Sequence, residues 1–513
     1  MTTADASTER TRAVIDMGSN SFRLVIYHYS PEGWFRLVDE IREPVRLSEG
    51  VRDGNIGASA IARAAHAAQL YGAYCDAAGI NTVDVVATSA VRDAKNQAEV
   101  LAALNSGRLK VRVLSTEDEA WYGYLGVVNG STLTDGWFMD LGGGSAQIGQ
   151  VSDRRLRRQM SAPLGAVRLT EAFLTGDQQN QKQIAALRAH VRATLDADRW
   201  IGGGGRLVGI GGALRTLAVI QQRANRSPII DPNGHHMTRD ALGATIEMLV
   251  DLPVRHRARI GGLRQDRADI ILAAALTIDE ILTAIGTDVL EVCGQGLREG
   301  VFLEHFLTPA DPPLLKDVRR SSVLNAAEGF GYERAHAHQI AHVALMGFDA
   351  TAALGLHSAD NEERELLWAA SILHDVGVLV DYSAHHRHSE YLVVNAGLPG
   401  FSHREIALIS SMVRGHRKGI PSLERYEELL LAGDDMRFAR GVALLRLAEQ
   451  LERAKAGQIH ALTCTRTPQG IAFHAICNGD PSLALWSATQ ELEHLEGAFG
   501  TTVQISGSAR SGD

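Results

Sequence analysis

FMDLGGGSAQ, residues 138–147, decides the fold. An apolar run ends on Asp140, three glycines follow, and Ser145 and Gln147 close the stretch. An earlier segment, AVIDMGSNSFRLVIYHY at residues 13–29, repeats the order: a β-rich run, Asp16, an apolar residue, Gly18, small polar residues, Ser21 and a second β-rich run. In both copies Gly stands two residues and Ser five residues after the Asp, a spacing that predicts a tight hairpin between two strands. Asp-x-Gly alone is common turn chemistry. Two copies, each flanked by apolar strands, indicate two structural halves whose turns meet at one cleft.

Glycine at such turns lets backbone N–H groups approach an anion closely, so a phosphate is the expected guest. Asp16 and Asp140 are then poised for a hard cation such as Mg²⁺ or Mn²⁺, which takes oxygen ligands and bridges carboxylate to phosphate. No Gly-Lys-Ser/Thr follows either turn, and residues 209–217 hold no G-x-G-x-x-G, which disfavours P-loop and dinucleotide sites.

Outward from the twin turns the chain alternates strand and helix. Residues 58–79 read as an alanine-rich helix; VDVVATSAVRDAKN (83–96) as a strand entering a helix with Arg92 in its first turns; LKVRVLSTEDEAWYGYLGVV (109–128) as a repeat of that plan. Strand-to-helix corners commonly line a site, so Arg92 is either a phosphate clamp or a surface arginine. Thr116-x-x-Glu119 matches a capping box, and spacing alone favours that role for the glutamate.

The chain has 513 residues, 45% hydrophobic and 22% charged, long enough for about three or four domains. Apolar runs such as 270–276 fall short of the ~20 residues of a membrane helix, and Met1 to Arg12 is polar, so a cytosolic location is expected. Cys75, Cys293, Cys464 and Cys477 lie far apart without a C-x-x-C, which argues against a disulfide framework or thiolate zinc site. The net charge of −9 disfavours a dedicated nucleic-acid binder, although a local basic patch can still meet a polyanion. Arg154, Arg155, Arg157 and Arg158 are either such a patch or a solvated hairpin turn.

The order of VIDMGSNSFRL, ATSAVRDAKN, STEDEAWYGYLGV, MDLGGGSAQ, APLGAVRLTEAFL, VGIGGALRTLA, RADIILAAAL and GQGLREGVFLEHF resembles the Ppx/GppA phosphatases, exopolyphosphatases and guanosine pentaphosphate phosphohydrolases, over roughly residues 13–306. The resemblance implies an α/β fold of the actin-like and sugar-kinase superfamily, two ribonuclease-H-like halves, and metal-dependent attack of water on a terminal phosphate. Carried onto this sequence it implies Glu119 as catalytic base, Asp140 as metal-associated aspartate and Arg92 as phosphate-holding arginine. Gly18, Ser19 and Asn20, with Gly143, Gly144 and Ser145, become the phosphate loops.

The chain departs from that family at Gln147, where a glutamate is usual, and at Ala213, where threonine is common. Glutamine can offer a carbonyl oxygen to a metal but supplies no charge and accepts no proton as a base. If the family glutamate serves the metal, Gln147→Glu is expected to lower the Mg²⁺ requirement.

TPADPPLL, from Thr308, marks a boundary before a helical region with half of the chain's 20 histidines between His336 and His416. His336, His374-Asp375, His388 and His416 resemble the HD phosphohydrolase pattern, with Glu449 where that pattern closes on aspartate. His336, His374, Asp375 and Glu449 are thus either a second metal site or metal-free remnants. The expected domains are 1–130 and 131–308 for the halves, 309–457 for an all-α HD-like domain and 458–513 for a small α/β domain. The expected function is exopolyphosphatase, with guanosine pentaphosphate hydrolysis or alarmone or polyphosphate sensing as rivals. By resemblance alone the chain is expected to form a homodimer, with ppGpp as a candidate inhibitor.

Overall fold

The computed structural model describes residues 9–31, 33–49, 51, 53–105 and 107–510, so most of the polar N-terminal stretch and the last three residues of the expected C-terminal domain lie outside the described residues. The chain forms two compact units, through Val318 and from Arg319 onward.

In the first unit, β1 (Arg10–Met17), β2 (Phe22–Ser30), β3 (Trp34–Glu43), β4 (Val83–Ala87) and β5 (Val111–Val113) form a sheet in the order β3-β2-β1-β4-β5. The second sheet takes β6 (Gly136–Leu141), β7 (Ala146–Ser152), β8 (Arg155–Ala162), β9 (Leu207–Ile210), β10 (His235–Thr238) and β11 (Val289–Val292) in the order β10-β11-β9-β6-β7-β8. Leaving aside the edge strand β10, the two orders are the same. In each sheet two antiparallel hairpins lead into a parallel pair, so the duplication seen in the twin turns extends to whole sheets.

Each sheet buries a core against its own helices. A third core, including Val14, Tyr27, Leu125, Phe138 and Phe302, joins the halves. There the helices Thr116–Gly130 and Leu297–Phe306 cross in close contact. A Cβ on Gly126 would strike the carbonyl of Gly296, and one on Gly300 the carbonyl of Tyr122, so only glycine permits this approach. The apolar run near residue 270 becomes the buried helix Ile271–Ile285, and no described helix is long and apolar enough to cross a membrane.

The break between units lies ten residues beyond the expected one at 308/309. Residues 309–318 stay with the first unit because Asn129 donates to Pro313 O (3.0 Å) and accepts from Leu315 N (2.7 Å), while Arg154 donates to Leu315 O (2.6 Å). Arg154 is therefore partly spent on structure rather than free in a basic patch.

The second unit contains helices Arg334–Ala353, Asn361–Leu373, His385–Asn395, His403–Gly415 and Asp434–Leu451. A sheet of β12 (Ile459–Thr467), β13 (Gly470–Cys477) and β14 (Thr502–Ala509) completes it. The expected break at 457/458 does not divide this unit, because Arg446 on the last of these helices forms a buried ion pair with Glu491 beyond it.

Candidate active site

The two hairpin turns open on one cavity of about 150 Å³, room for on the order of ten waters. Asp16, Gly18, Ser19 and Asn20 line it from β1 and its turn; Asp140, Gly143 and Ser145 line it from β6 and its turn. The turns nearly touch: a Cβ on Gly144 would collide with Ser89 Oγ and stand 2.9 Å from Ser19 Oγ.

The loop carbonyls are tied back. Arg46 N donates to Asn20 O (2.8 Å), Ser48 N to Ser19 O (3.2 Å), and Ala166 N and Val167 N to Gly142 O and Gly143 O (3.0 and 2.9 Å). The N–H groups of Ser19, Asn20, Gly143 and Gly144 donate to no described residue, the disposition of an anion-binding nest. The uncapped helix start at Gly212 lines the same cavity, as does Ala213, so the missing threonine hydroxyl would have belonged there.

Asp16 and Asp140 are sunk in this pocket, and neither accepts a hydrogen bond from a described residue. Burial, reinforced by Glu119 and Asp16, pushes the Asp140 carboxyl up to about 7. Burial likewise raises Asp16 and Glu119, against the arginines that pull them down. Carboxylates with unsatisfied oxygens beside a phosphate nest fit a hard divalent cation, and Asp16 and Asp140 are the residues that would hold it.

Glu119 is 6% exposed. Arg92 Nη1 donates to its Oε2 (2.6 Å) and Ser145 Oγ to its Oε1 (3.2 Å). The capping-box expectation is corrected by one residue. Ser115 is the N-cap, accepting from Asp118 N (3.0 Å), and Asp118 returns the bond. Glu119 is thereby free to turn inward. Arg92 is not among the residues that line the cavity; it also donates to Leu114 O (3.2 Å) and holds Glu119 from behind.

Gln147, 1% exposed, does not line the cavity either. Its Nε2 donates to Ser145 Oγ (2.9 Å) and Ser161 Oγ (3.3 Å), while its Oε1 is buried without a described partner. The amide stands behind Ser145, so as placed it offers no carbonyl to an ion among the cavity-lining residues.

Four arginines that sequence reasoning did not single out line the cavity: Arg23, Arg215, Arg267 and Arg298. Each lies inside a motif quoted above, and the arginine in each of those motifs was the available signal. Arg215 donates to Gly294 O (2.7 Å) and Arg298 to Glu40 (3.2 Å), whereas the Arg267 side chain makes no hydrogen bond or ion pair with a described residue. Burial, then the neighbouring Arg215 and Arg23, lowers the Arg267 guanidinium to about 9. Gly212 makes room for it, since a Cβ there would overlap the guanidinium. The cavity thus combines acidic and basic side chains.

In the second unit His336, His374, Asp375 and Glu449 come together, with His416. His388 is half-buried and outside this cluster; its place is taken by His385, three residues earlier on the same helix.

The model of the Ppx/GppA phosphatase family matches residues 25–308, and that of Ppx/GppA phosphatase domain III matches residues 318–490. A guanosine-5'-triphosphate,3'-diphosphate pyrophosphatase of Pseudoalteromonas translucida is 25% identical over 427 residues, 80% of this chain and 81% of that protein. The crystal structure of the Aquifex aeolicus Ppx/GppA family member superposes with a TM-score of 0.51 at 27% identity, over 58% of this chain and 98% of its own. An exopolyphosphatase from Cytophaga hutchinsonii, 23% identical, reaches 0.54 over 58% of this chain and 98% of its own, a likeness of fold.

Proposed function

The chain belongs to the Ppx/GppA phosphatase family, whose members hydrolyse phosphoanhydride bonds, and on that premise we propose that it removes terminal orthophosphate from inorganic polyphosphate. The observation that carries this reading is the cavity that gathers acids, nest N–H groups and four arginines. No aromatic ring lines it among the described residues, so a nucleobase would gain no stacking there, and a bare phosphate chain needs none.

Glu119 takes the proton of the attacking water as the water oxygen bonds to the terminal phosphorus. The bond from phosphorus to the bridging oxygen breaks, and the shortened chain leaves with the electron pair. The N–H groups of residues 19–20 and 143–144 hold the terminal phosphate oxygens, and the arginines take up the departing charge. Arg92 and Ser145 orient the Glu119 carboxylate through the bonds described above. Asp16 and Asp140 would hold a divalent cation, Mg²⁺ in our reading, which would supply Lewis-acid polarisation to the phosphate.

The 5′-triphosphate end of guanosine pentaphosphate offers the same anion, and the name of the Pseudoalteromonas relative favours that second reading. Phosphate release from polyphosphate, guanosine pentaphosphate and ATP, each with and without Mg²⁺, separates them. Polyphosphate is expected to give the highest kcat/KM. Preference for the nucleotide would reverse the assignment, and binding without release would make the chain a sensor.

A further inference from the structure

The turn of residues 142–145 is gripped from outside the cavity by the helix Ala166–Phe173. Gly165 permits the approach, because a Cβ there would overlap the backbone of Gly143 and Gly144. The first N–H groups of a helix have no partner within it. Here they take two carbonyls of the turn, Ala166 N donating to Gly142 O and Val167 N to Gly143 O. The third carbonyl goes to a side chain: Arg168 Nε donates to Gly144 O (3.0 Å). The other arm of the same guanidinium, Nη2, donates to Asp93 Oδ2 (2.9 Å) in the opposite half of the fold. Asp93 Oδ1 lies 3.5 Å from Arg92 Nε, and Arg92 holds Glu119. One line of contacts thus runs from the phosphate turn of the second half to the base carried by the first.

Neither Arg168 nor Asp93 lines the cavity, and their side chains are 44% and 47% exposed. An ion pair so open to water contributes little to stability. The bond to Gly144 O gives it another use. A trans peptide is planar, with its C=O and N–H on opposite sides, so holding Gly144 O outward on Arg168 holds the Ser145 N–H inward. Ser145 lines the cavity, and its backbone N–H donates to no described residue. A cation on the carbonyl also polarises the amide and makes that N–H a stronger donor.

We propose that Arg168 is a positioning residue for the reaction: through Gly144 O it aims the Ser145 N–H at the phosphate, and through Asp93 and Arg92 it keeps that donor in register with Glu119. The inference rests on reading the cavity as a phosphoryl-transfer site. Arginine suits the task because its planar fork serves a carbonyl and a carboxylate at once in fixed directions, whereas a lysine ammonium is a single mobile point.

The test compares full-length Arg168→Met, Arg168→Lys, Asp93→Asn and the double variant Arg168→Met/Asp93→Asn with the parent. Initial rates on polyphosphate give kcat and KM, calorimetry gives the orthophosphate Kd without turnover, and circular dichroism gives the melting temperature. Loss of a whole oxyanion donor costs about a hundredfold or more; a donor kept but loosened should cost about tenfold, so Arg168→Met is expected to lower kcat about tenfold. Its orthophosphate Kd should rise about threefold to tenfold, with an unchanged melting temperature. Arg168→Lys should recover little of this. Asp93→Asn should lower kcat by about threefold, and the double variant should lose no more than Arg168→Met alone, because the two residues act through one bridge. Parental kcat and orthophosphate affinity in Arg168→Met would overturn the proposal, as would full rescue by lysine or a kcat loss matched by a fall in melting temperature. Losses that simply multiply in the double variant would overturn the link through Asp93. If the parent releases no phosphate from polyphosphate, the proposed reaction fails, and the orthophosphate titrations still judge Arg168: equal affinity in parent and Arg168→Met overturns its role, and weaker affinity in the variant upholds it.

Discussion

The hairpin that carries Asp16 and the hairpin that carries Asp140 share a backbone plan and differ at the residue across from the aspartate. Asp16 is paired with Arg23, Asp140 with Gln147. Directly opposed residues share a face of the sheet. The first hairpin therefore brings its own cation to the cavity, while the second brings a neutral amide that stops behind Ser145. On the Asp140 carboxyl burial, Glu119 and Asp16 push upward and outweigh the downward pull of Arg215 and Arg298. Duplication supplies one loop geometry twice, and single side chains divide the labour: the first hairpin sets a cation, Arg23, across from its aspartate, while the second sets Ser145 against Glu119.

The harshest way to test that division is Glu119→Gln. Loss of a general base typically costs about a hundredfold to ten-thousandfold in kcat. Because Ser115 and Asp118 make the helix cap, the melting temperature should hold. A fall in melting temperature with activity retained would hand Glu119 back to the helix start.

Arg23→Gln copies the second hairpin's amide into the first and should erase the difference between them. Charge-assisted hydrogen bonds are worth about 1.5–3 kcal/mol, so KM for polyphosphate is expected to rise about tenfold to a hundredfold. Arg267→Ala should raise KM similarly while leaving thermal stability unchanged or higher, since it removes a buried guanidinium without a described partner. An unchanged KM in both variants, measured by initial rates, would remove these arginines from substrate binding.

The twin turns were legible because a hairpin that cradles an anion demands glycine at fixed offsets, and Asp16-x-Gly18 and Asp140-x-Gly142 show it. The cavity arginines were not, because Arg23, Arg215, Arg267 and Arg298 come from four distant segments that only the fold gathers. The capping box was misread by one residue because Ser115 and Thr116 both carry hydroxyls, and Asp118 and Glu119 both carry acids, so backbone geometry alone chooses between them. His385 and His388 were confused for a related reason: one turn of helix separates them, and the direction of the chain entering that helix decides which faces Asp375.

A milder test lies in pH. Protons compete with the ion for Asp140, whose carboxyl sits at about 7 in the metal-free site. Raising pH from about 6 to 8 should therefore lower the Mg²⁺ concentration for half-maximal activity, by up to about tenfold per unit below 7 and little above it. An Asp140 with an ordinary carboxylate pKa would give no change over that range, which Mg²⁺ titrations at three pH values would reveal.

The smallest effect belongs to Gln147→Glu, and here the geometry redirects what the sequence suggested. Read from the motif, the restored acid should lower the Mg²⁺ requirement. Yet residue 147 is buried behind Ser145, donating to its hydroxyl, and Ser145 in turn donates to Glu119. A carboxylate there cannot donate, so the Ser145 proton would turn toward it and Glu119 would lose a hydrogen bond. It would also gain a negative neighbour. Both changes favour the protonated form of Glu119 and move the acidic limb of the pH–rate profile upward, by about one unit, with a loss of a few-fold at pH 7. The Mg²⁺ half-saturation should change by less than about twofold, since the new charge does not face the ion. Pairing a pH–rate profile at saturating Mg²⁺ with a Mg²⁺ titration at fixed pH separates the two readings. If the Mg²⁺ requirement drops sharply while the acidic limb stays in place, residue 147 reaches the ion after all, and the division of labour between the two hairpins drawn above fails.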